Sequence, residues 1–563
     1  MSKPKEFTPD WTENVPLQGS YRSIFKWGGK DQFKNPSAGF FKVIKESLNL
    51  SDDDFKQKTT TGDEKVEFKK DITLLDDDLS LLVEIVGRDN VAFDSFSRVK
   101  YGSGNSMEDI LKLRNSVTEN LPDIVLHPRN KEDVEKIVSF CNQKKIGVNV
   151  YAGGSSVTLG LACEHGGVVL VMGTHMNQVV EFNETDQTIT VQAGMMGPVY
   201  EDLLNNAPEK LGAKKRYTGG HFPQSFEYSS VGGWVVTLGA GQASSYYGDA
   251  CDLVMSQEYI TPAGSFKTLN YPGTATGPKV NDIMKGSEGC FGVLVSVTMK
   301  VFQYFPENTR AFAFIFPDFK SAVNASREIS QSESGMPSIL RISDPEESDV
   351  AMKMYGLEGS ILDSFIKFKD FKPGRRCILM GQADGEKGFT KLVKSSVKKI
   401  CKKNRGMYIT GYPMKKWHHG RFKDPYMRDV LNDYGILIDT LETSVTWDNL
   451  ELLYKKVRSF IKQNPDTICM THASHFYAQG TNLYFIFITK MDDLDKFKKF
   501  QQGIIAQIAA NKGSLSHHHG VGRMMAPFMK EHLGEEQVNV LKALKKHFDP
   551  NNIMNPGTTL GLN

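Results

Sequence analysis

The chain has 563 residues and a mass of 62.9 kDa, 40% hydrophobic and 24% charged, which excludes a disordered or collagen-like polymer and leaves length for about three to five structural units. Sixty-eight Lys and Arg against 66 Asp and Glu give a formal net charge of +2, so the balance gives no reason to expect nucleic acid as a partner. The seven cysteines are scattered with no CxxC pair, which argues against a disulfide framework or a structural zinc site and suits a reducing compartment.

Met1 to Asp10 has no apolar signal core, and no apolar run reaches about 18 residues, so no membrane-spanning helix is expected. Residues 1–120 are polar, with a few helical segments. Asp76-Asp77-Asp78 places carboxylates where a helix N-terminus favours them. Asn130 can cap a helix in which Val134, Ile137, Val138 and Cys141 fall on one stripe. Gly147–Tyr151 alternates as a strand and runs into Ala152-Gly153-Gly154-Ser155-Ser156. Val168–Met172 is an apolar strand, and Val179–Phe182 with Thr188–Val191 forms a hairpin. A helix near Pro198–Asn205 follows, and Val297–Val301 closes an α+β domain over 121–305.

A second α+β domain is expected over 306–510. Its strand Ala311–Phe316 and helix Phe319–Ser330 lead into a βαβ-like alternation at Cys377–Met380 and Tyr484–Ile488, then a helix from Asp492 to Ala510. The tail, 511–563, carries a helix from Glu535 to Phe548 with Val540, Leu541, Leu544 and Phe548 as its apolar stripe, stopped by Asp549-Pro550.

Chemistry concentrates in a few segments. Gly153 and Gly154 leave backbone bare beside Ser155, Ser156 and Thr158, a nest suited to pyrophosphate. Gln224–Trp234, Thr237–Gly241 and Gly286–Gly292 add further small-residue segments, and close backbone approaches to one extended ligand, a dinucleotide, would explain them; ordinary turns are the alternative. Ser516-His517-His518-His519-Gly520 is an imidazole cluster suited to phosphate binding or proton transfer. If extended, it turns His517 and His519 one way and His518 the other. No metal site is assigned. Read alone, Tyr484 in its strand-like run is a packing residue, and Arg341 and Arg428 are solvated salt-bridge partners.

Together, Ala152–Ser156, Glu227–Trp234 and Gly286–Val293 resemble the FAD-binding signature of the vanillyl-alcohol-oxidase-type flavoproteins. Ser514–Gly522, Ser225–Trp234, Leu441-Glu442-Thr443-Ser444 with Trp447-Asp448, Pro122–Val125 and Phe25-Lys26-Trp27-Gly28 resemble one family within them, the alkyldihydroxyacetonephosphate synthases. Ala152 stands where that family has a glycine, and Asn555-Pro556-Gly557 resembles the glycolate and D-lactate dehydrogenase branch.

The resemblance implies an α+β fold: a two-part PCMH-type FAD-binding domain, an α+β cap domain, helical N- and C-terminal segments, and a histidine motif returning to the flavin site. It implies non-covalent FAD held by Ala152, Gly153, Gly154, Ser155, Ser156, His221, Pro223, Gln224, Ser225, Tyr228, Ser229, Ser230, Gly233, Thr237, Gly239, Ala240, Glu288, Gly289, Gly292 and Val293. It implies a reaction without net redox, in which a long-chain fatty alcohol replaces the acyl chain of 1-acyl-dihydroxyacetone phosphate and flavin N5 acts as a covalent trap. Tyr484 resembles the residue that moves the substrate proton, His517, His518 and His519 the active-site histidines, and Arg341 a second essential arginine. Arg428, thirteen residues before Leu441, resembles the arginine that holds phosphate. A homodimer, peripheral membrane contact and a peroxisome-like compartment are implied by family only, and no targeting signal is evident. The alternative is an FAD-dependent D-2-hydroxy-acid dehydrogenase or oxidase.

Overall fold

The structure is a computed structural model that describes residues 7–68, 71–491, 493–557 and 560–562, apart from the side chain of Leu362. Asp492, the expected start of one helix, the first six residues of the N-terminal segment and Asn563 lie outside the described residues. The chain forms two compact units, each assembled from three separated stretches.

One unit comprises Gly19–Phe25, Glu64–Glu307 and Leu515–Asn563. Its first sheet holds β1 (Val91–Ala92), β2 (Ile124–Leu126), β3 (Val148–Tyr151) and β4 (Val168–Val171) in the order β1-β2-β4-β3. Strands β2, β4 and β3 run parallel, and parallel neighbours need a long crossover. The helix Lys131–Lys144 leads from β2 to β3. The Asn130 side chain accepts from the Asp133 N–H at its start, and Val134, Ile137, Val138 and Cys141 are buried. Each buried aliphatic side chain contributes about 1.5–3 kcal/mol. The C-terminal Ile553 and Met554 join the same core, and the Asn555 N–H donates to the Val148 carbonyl at 2.8 Å.

The unit's second sheet is antiparallel: β5 (Val179–Asn183), β6 (Thr188–Gln192), β8 (Val254–Thr261), β9 (Gly264–Lys267) and β10 (Val293–Lys300), in the order β5-β6-β10-β8-β9. Strands β7 (Tyr217–Thr218) and β11 (Phe302–Gln303) pair separately. The tail helix spans Glu535–Phe548, with Val538 and Phe548 buried. Val540 is 60% exposed, against the expected stripe. The covered face runs through buried Val538 and Phe548 and half-buried Leu541, Leu544 and Lys545. Lys545 belongs to it because its ammonium donates to the Cys290 and Met554 carbonyls and to Asp549.

The other unit comprises Met1–Gln18, Lys26–Asp63 and Asn308–Ser514. Its sheet has seven strands: β12 (Arg310–Phe316), β13 (Ile339–Ser343), β14 (Cys377–Ala383), β15 (Met407–Tyr408), β16 (Ile436–Thr446), β17 (Thr467–Ala473) and β18 (Gly480–Lys490), in the order β15-β12-β14-β13-β17-β18-β16. Every pairing is antiparallel. The expected βαβ-like alternation is therefore a split one: β12 and β13 are joined through the helix Phe319–Ser330, but β14 is inserted between them.

The stretch Lys26–Asp63 is built into this unit's core. Its helix Ala38–Ser47 is capped by Ser37 and buries Phe40, Phe41 and Ile44 with Val350, Met427, Ile436 and Ile488. Lys26 donates to the carbonyls of Gly29 and Gln32, shaping a turn in which Gly28 has φ +74°. A methyl at Gly28 would overlap the Tyr426 ring, whose hydroxyl accepts from the Gly29 N–H. The Lys26–Gly29 turn thus packs against Tyr426, two residues before Arg428.

Candidate active site

In the seven-stranded sheet, four adjacent strands align a row of polar side chains. Tyr484 on β18 lies directly opposite His472 on β17 and Glu442 on β16. Paired residues share a face, and so do residues two apart, which adds Thr440, Asn482 and, through Ser343 opposite His472, Arg341 on β13. The His472 and Tyr484 rings stack with centroids 4.9 Å apart. The Tyr484 hydroxyl donates to Thr440 at 3.0 Å, and Asn482 donates to Glu442 at 3.2 Å.

Arg341 donates to Glu347, the third residue of the helix Pro345–Met354, and its guanidinium lies 3.0 Å from His472 Nδ1. The same Nδ1 lies 3.3 Å from a Glu347 carboxylate oxygen, so this nitrogen faces both a guanidinium donor and a carboxylate acceptor. Arg341 also stands over the Trp417 ring at 5.7 Å. Burial lowers the pKa of His472, and Arg341 lowers it further. Burial alone would raise Glu347, but the Arg341 guanidinium and the His472 ring hold it down at about 2.

Arg428 lies on the short helix Met427–Asn432, within electrostatic reach of Asp439 and Tyr484. Part of its side chain meets solvent, yet burial of the guanidinium pulls its pKa below the usual arginine range. Burial pushes the Tyr484 phenol up to about 12; the Thr440 hydrogen bond opposes this, Glu442 and Asp439 add to it, and Arg428 opposes it.

The other unit gathers the glycine-rich segments. A Cβ on Gly153 would come within 2.6 Å of the Tyr228 carbonyl, so the first nest is packed against the second segment. Gly154 has φ +72°, with Asn105 donating to its carbonyl at 2.9 Å. Ala152, Ser155 and Ser156 are half-buried beside them. Ser230 caps the helix Val231–Val236, accepting from Gly233 at 3.1 Å, and Ser229 accepts the Trp234 indole N–H at 2.7 Å. Both hydroxyls are thereby engaged within the protein, and Thr237 donates to the Gly233 carbonyl at the helix end. Gly239, Ala240, Pro223, Gly289, Gly292 and Val293 are buried, Ser225 and Tyr228 half-buried, and Gln224 exposed.

His221 is 2% exposed, and neither ring nitrogen has a hydrogen-bond partner among the described residues. Burial pulls its pKa down to about 3, so the ring is neutral. Buried polar groups normally find partners, each orphan costing about 1–3 kcal/mol. An orphaned imidazole beside Trp234 and Gly239, and a backbone cradle that a methyl would fill, fit a flavin dinucleotide.

The histidine run is a turn, not an extended strand. Ser516 Oγ accepts from the His519 and Gly520 N–H groups at 3.0 and 3.1 Å. Successive rings therefore meet rather than alternate. His517 and His518 approach Nδ1 to Nδ1 at 3.0 Å, a distance that needs one proton between them, and the His518 and His519 centroids are 4.7 Å apart. Thr158, just past the first nest, reaches the His519 carbonyl at 3.5 Å.

Arg341, Arg428 and Tyr484 are thus gathered in one unit, and the FAD candidates with His517, His518 and His519 in the other. The sequence reading missed His472, Glu347, Thr440 and Glu442. For His472, Thr440 and Glu442 the signal is cross-strand register, which no linear spacing displays; Glu347 is reached through its ion pair with Arg341.

Residues 122–270 match the family model described as FAD binding domain, and residues 305–559 match FAD linked oxidases, C-terminal domain. Over 492 residues the chain is 31% identical to alkyldihydroxyacetonephosphate synthase of Dictyostelium discoideum, covering 83% of this chain and 78% of that one. The synthase of Caenorhabditis elegans is 28% identical, covering 84% and 82%. A solved structure of alkyldihydroxyacetonephosphate synthase superimposes with a TM-score of 0.81 at 26% identity, covering 95% of this chain and 99% of that one. P-cresol methylhydroxylase, at a TM-score of 0.65, 14% identity and coverage of 88% and 98%, shares the fold.

Proposed function

Because the chain belongs to the alkyldihydroxyacetonephosphate synthase family, we propose that it is an FAD-dependent ether-lipid synthase. Its reaction breaks the C1–O bond to the acyl group of 1-acyl-dihydroxyacetone phosphate and forms a C1–O bond to a long-chain fatty alcohol. The acyl group leaves as the fatty acid and the alcohol proton is released, so no electrons are transferred overall. Bound FAD supplies the electrophilic centre that makes the exchange accessible without net redox.

The observation that supports this reading is a desolvated guanidinium, Arg428, within electrostatic reach of the buried phenol of Tyr484. The first holds the substrate phosphate and the second exchanges a proton with the carbon skeleton. Arg341, oriented by Glu347 and His472, places fixed positive charge on the same sheet face. His517, His518 and His519 supply a neutral-pH proton relay. Non-covalent FAD is held by the backbone of Ala152–Ser156, Ser225–Ala240 and Gly289–Val293, with His221 donating or accepting at a buried atom.

A peripheral membrane contact fits the amphiphilic substrates. No helix among the described residues is long and apolar enough to cross a membrane. The helix Ile361–Phe368, however, exposes Ile361 at 92% and Phe368 at 83%, with Lys369 over the Phe365 and Phe368 rings. A homodimer is part of the same proposal.

Arg428→Lys tests the phosphate assignment. Lysine keeps the charge but loses the bidentate fork. KM for the acyl substrate is expected to rise about 10- to 100-fold with FAD content unchanged. A KM within twofold of the parent would remove Arg428 from the phosphate site.

A further inference from the structure

Glu288 is bonded at four of its atoms to three other segments of the FAD-binding unit. Its N–H donates to the Val236 carbonyl at 2.9 Å, at the end of the helix that Ser230 caps. Its carbonyl accepts from Asn555 in the C-terminal Asn-Pro-Gly turn. Its two carboxylate oxygens accept one N–H each, from Val521 and, at 2.9 Å, from Gly522. These two amides directly follow His517-His518-His519-Gly520. Glu288 is also held at φ +48°, a left-handed conformation uncommon for any residue but glycine and kept only where the surroundings determine it.

The fit around the carboxylate is close. A Cβ on Gly520, itself at φ +86°, would lie 2.6 Å from Glu288 Oε1. On the other side of the turn, the Met524 N–H donates to the Thr158 carbonyl at 3.2 Å, and a Cβ on Gly522 would collide with that carbonyl. The histidine turn is therefore clamped between the first nest and the Gly-Ser-Glu-Gly segment.

We propose that Glu288 is a positioning residue that fixes the His517–His519 turn to the FAD-binding loop, rather than a cofactor ligand through its side chain. A carboxylate presents two acceptors to two N–H groups, each a charge-assisted bond. Glutamine presents one acceptor and one NH₂, so one backbone N–H would face a donor. The link to turnover rests on the synthase reading above; the link to the turn does not.

The test is Glu288→Gln in the FAD-loaded full chain, with Gly520→Ala as a second variant that displaces the same carboxylate while leaving Glu288 in place. Hydrogen exchange of residues 519–523 is expected to accelerate about tenfold, the loss of one such bond. Flavin stoichiometry and absorbance should stay at parental values, and kcat for ether formation should fall about tenfold at constant KM. Unchanged exchange at 519–523 in both variants would overturn the proposal, as would loss of flavin with that exchange unchanged, which would make Glu288 a cofactor ligand. If the parent protein forms no ether, the exchange and flavin readouts still decide the role of Glu288, and only the synthase reading fails.

Discussion

Tyr484→Phe is expected to lower ether formation by about 10²- to 10⁴-fold, the range for removing a positioned acid–base group, while FAD content stays constant. The variant removes one oxygen and keeps the ring. Stacking on His472 should survive, and loss of the hydrogen bond to Thr440 should lower stability by only about 0.5–1.5 kcal/mol. The size of the loss follows from what the phenol is held ready to do. With its pKa pushed up to about 12 by burial, and by Glu442 and Asp439 against Thr440 and Arg428, the phenol keeps its proton at neutral pH. In this setting Tyr484 is a proton donor; as a base it needs positive charge beyond that of Arg428. Turnover by the phenylalanine variant within threefold of the parent would show that the proton travels elsewhere.

Glu347→Gln carries the second large effect, on stability as well as rate. Its carboxyl is held at about 2 in the fold, against an ordinary value of 4.5. A depressed pKa contributes stability that is fully present above pH 4.5 and is lost as pH falls through about 2. At neutral pH the contribution is about 3 kcal/mol. The variant also leaves the Arg341 guanidinium, 16% exposed, without its carboxylate. Denaturant titrations at pH 7 should show the variant less stable by roughly this amount, and the difference should shrink as pH is lowered from 4.5 towards 2. Turnover should fall at least about tenfold, because Arg341 and His472 lose the group that orients them. Equal stability at pH 7 would mean that Arg341 finds another anion.

Much of this architecture was legible in the sequence where the signal is local. Asn130 followed by apolar residues at helical spacing gave the helix Lys131–Lys144, and the same logic gave Phe319–Ser330. The glycine-rich segments and the histidine run were legible as chemistry, and the family resemblance tied them to FAD. What stayed hidden is non-local. Arg341, His472 and Tyr484 are separated by 131 and 12 positions, and only the pairing of β13, β17 and β18 puts them in one row. The insertion of β14 between β12 and β13 likewise leaves no mark on either strand. The histidine turn depends on a single hydroxyl, Ser516, accepting two N–H groups, which a period-two reading of the run overlooks. Val540 fits the apolar stripe by spacing alone, yet it is exposed and Lys545 lies on the covered face. The lysine is on that face because three oxygens lie within reach of its ammonium.

Anaerobic turnover of the FAD-loaded protein decides whether the chain carries out the ether-forming exchange. Palmitoyl-dihydroxyacetone phosphate and hexadecanol are supplied together, and the alkyl product, the released fatty acid and the flavin absorbance are followed in one experiment, with D-lactate as a parallel substrate. The expected result is ether and fatty acid in equal amounts, with no net flavin reduction and no response to D-lactate. An unperturbed flavin and no ether, or bleaching by D-lactate alone, would contradict it.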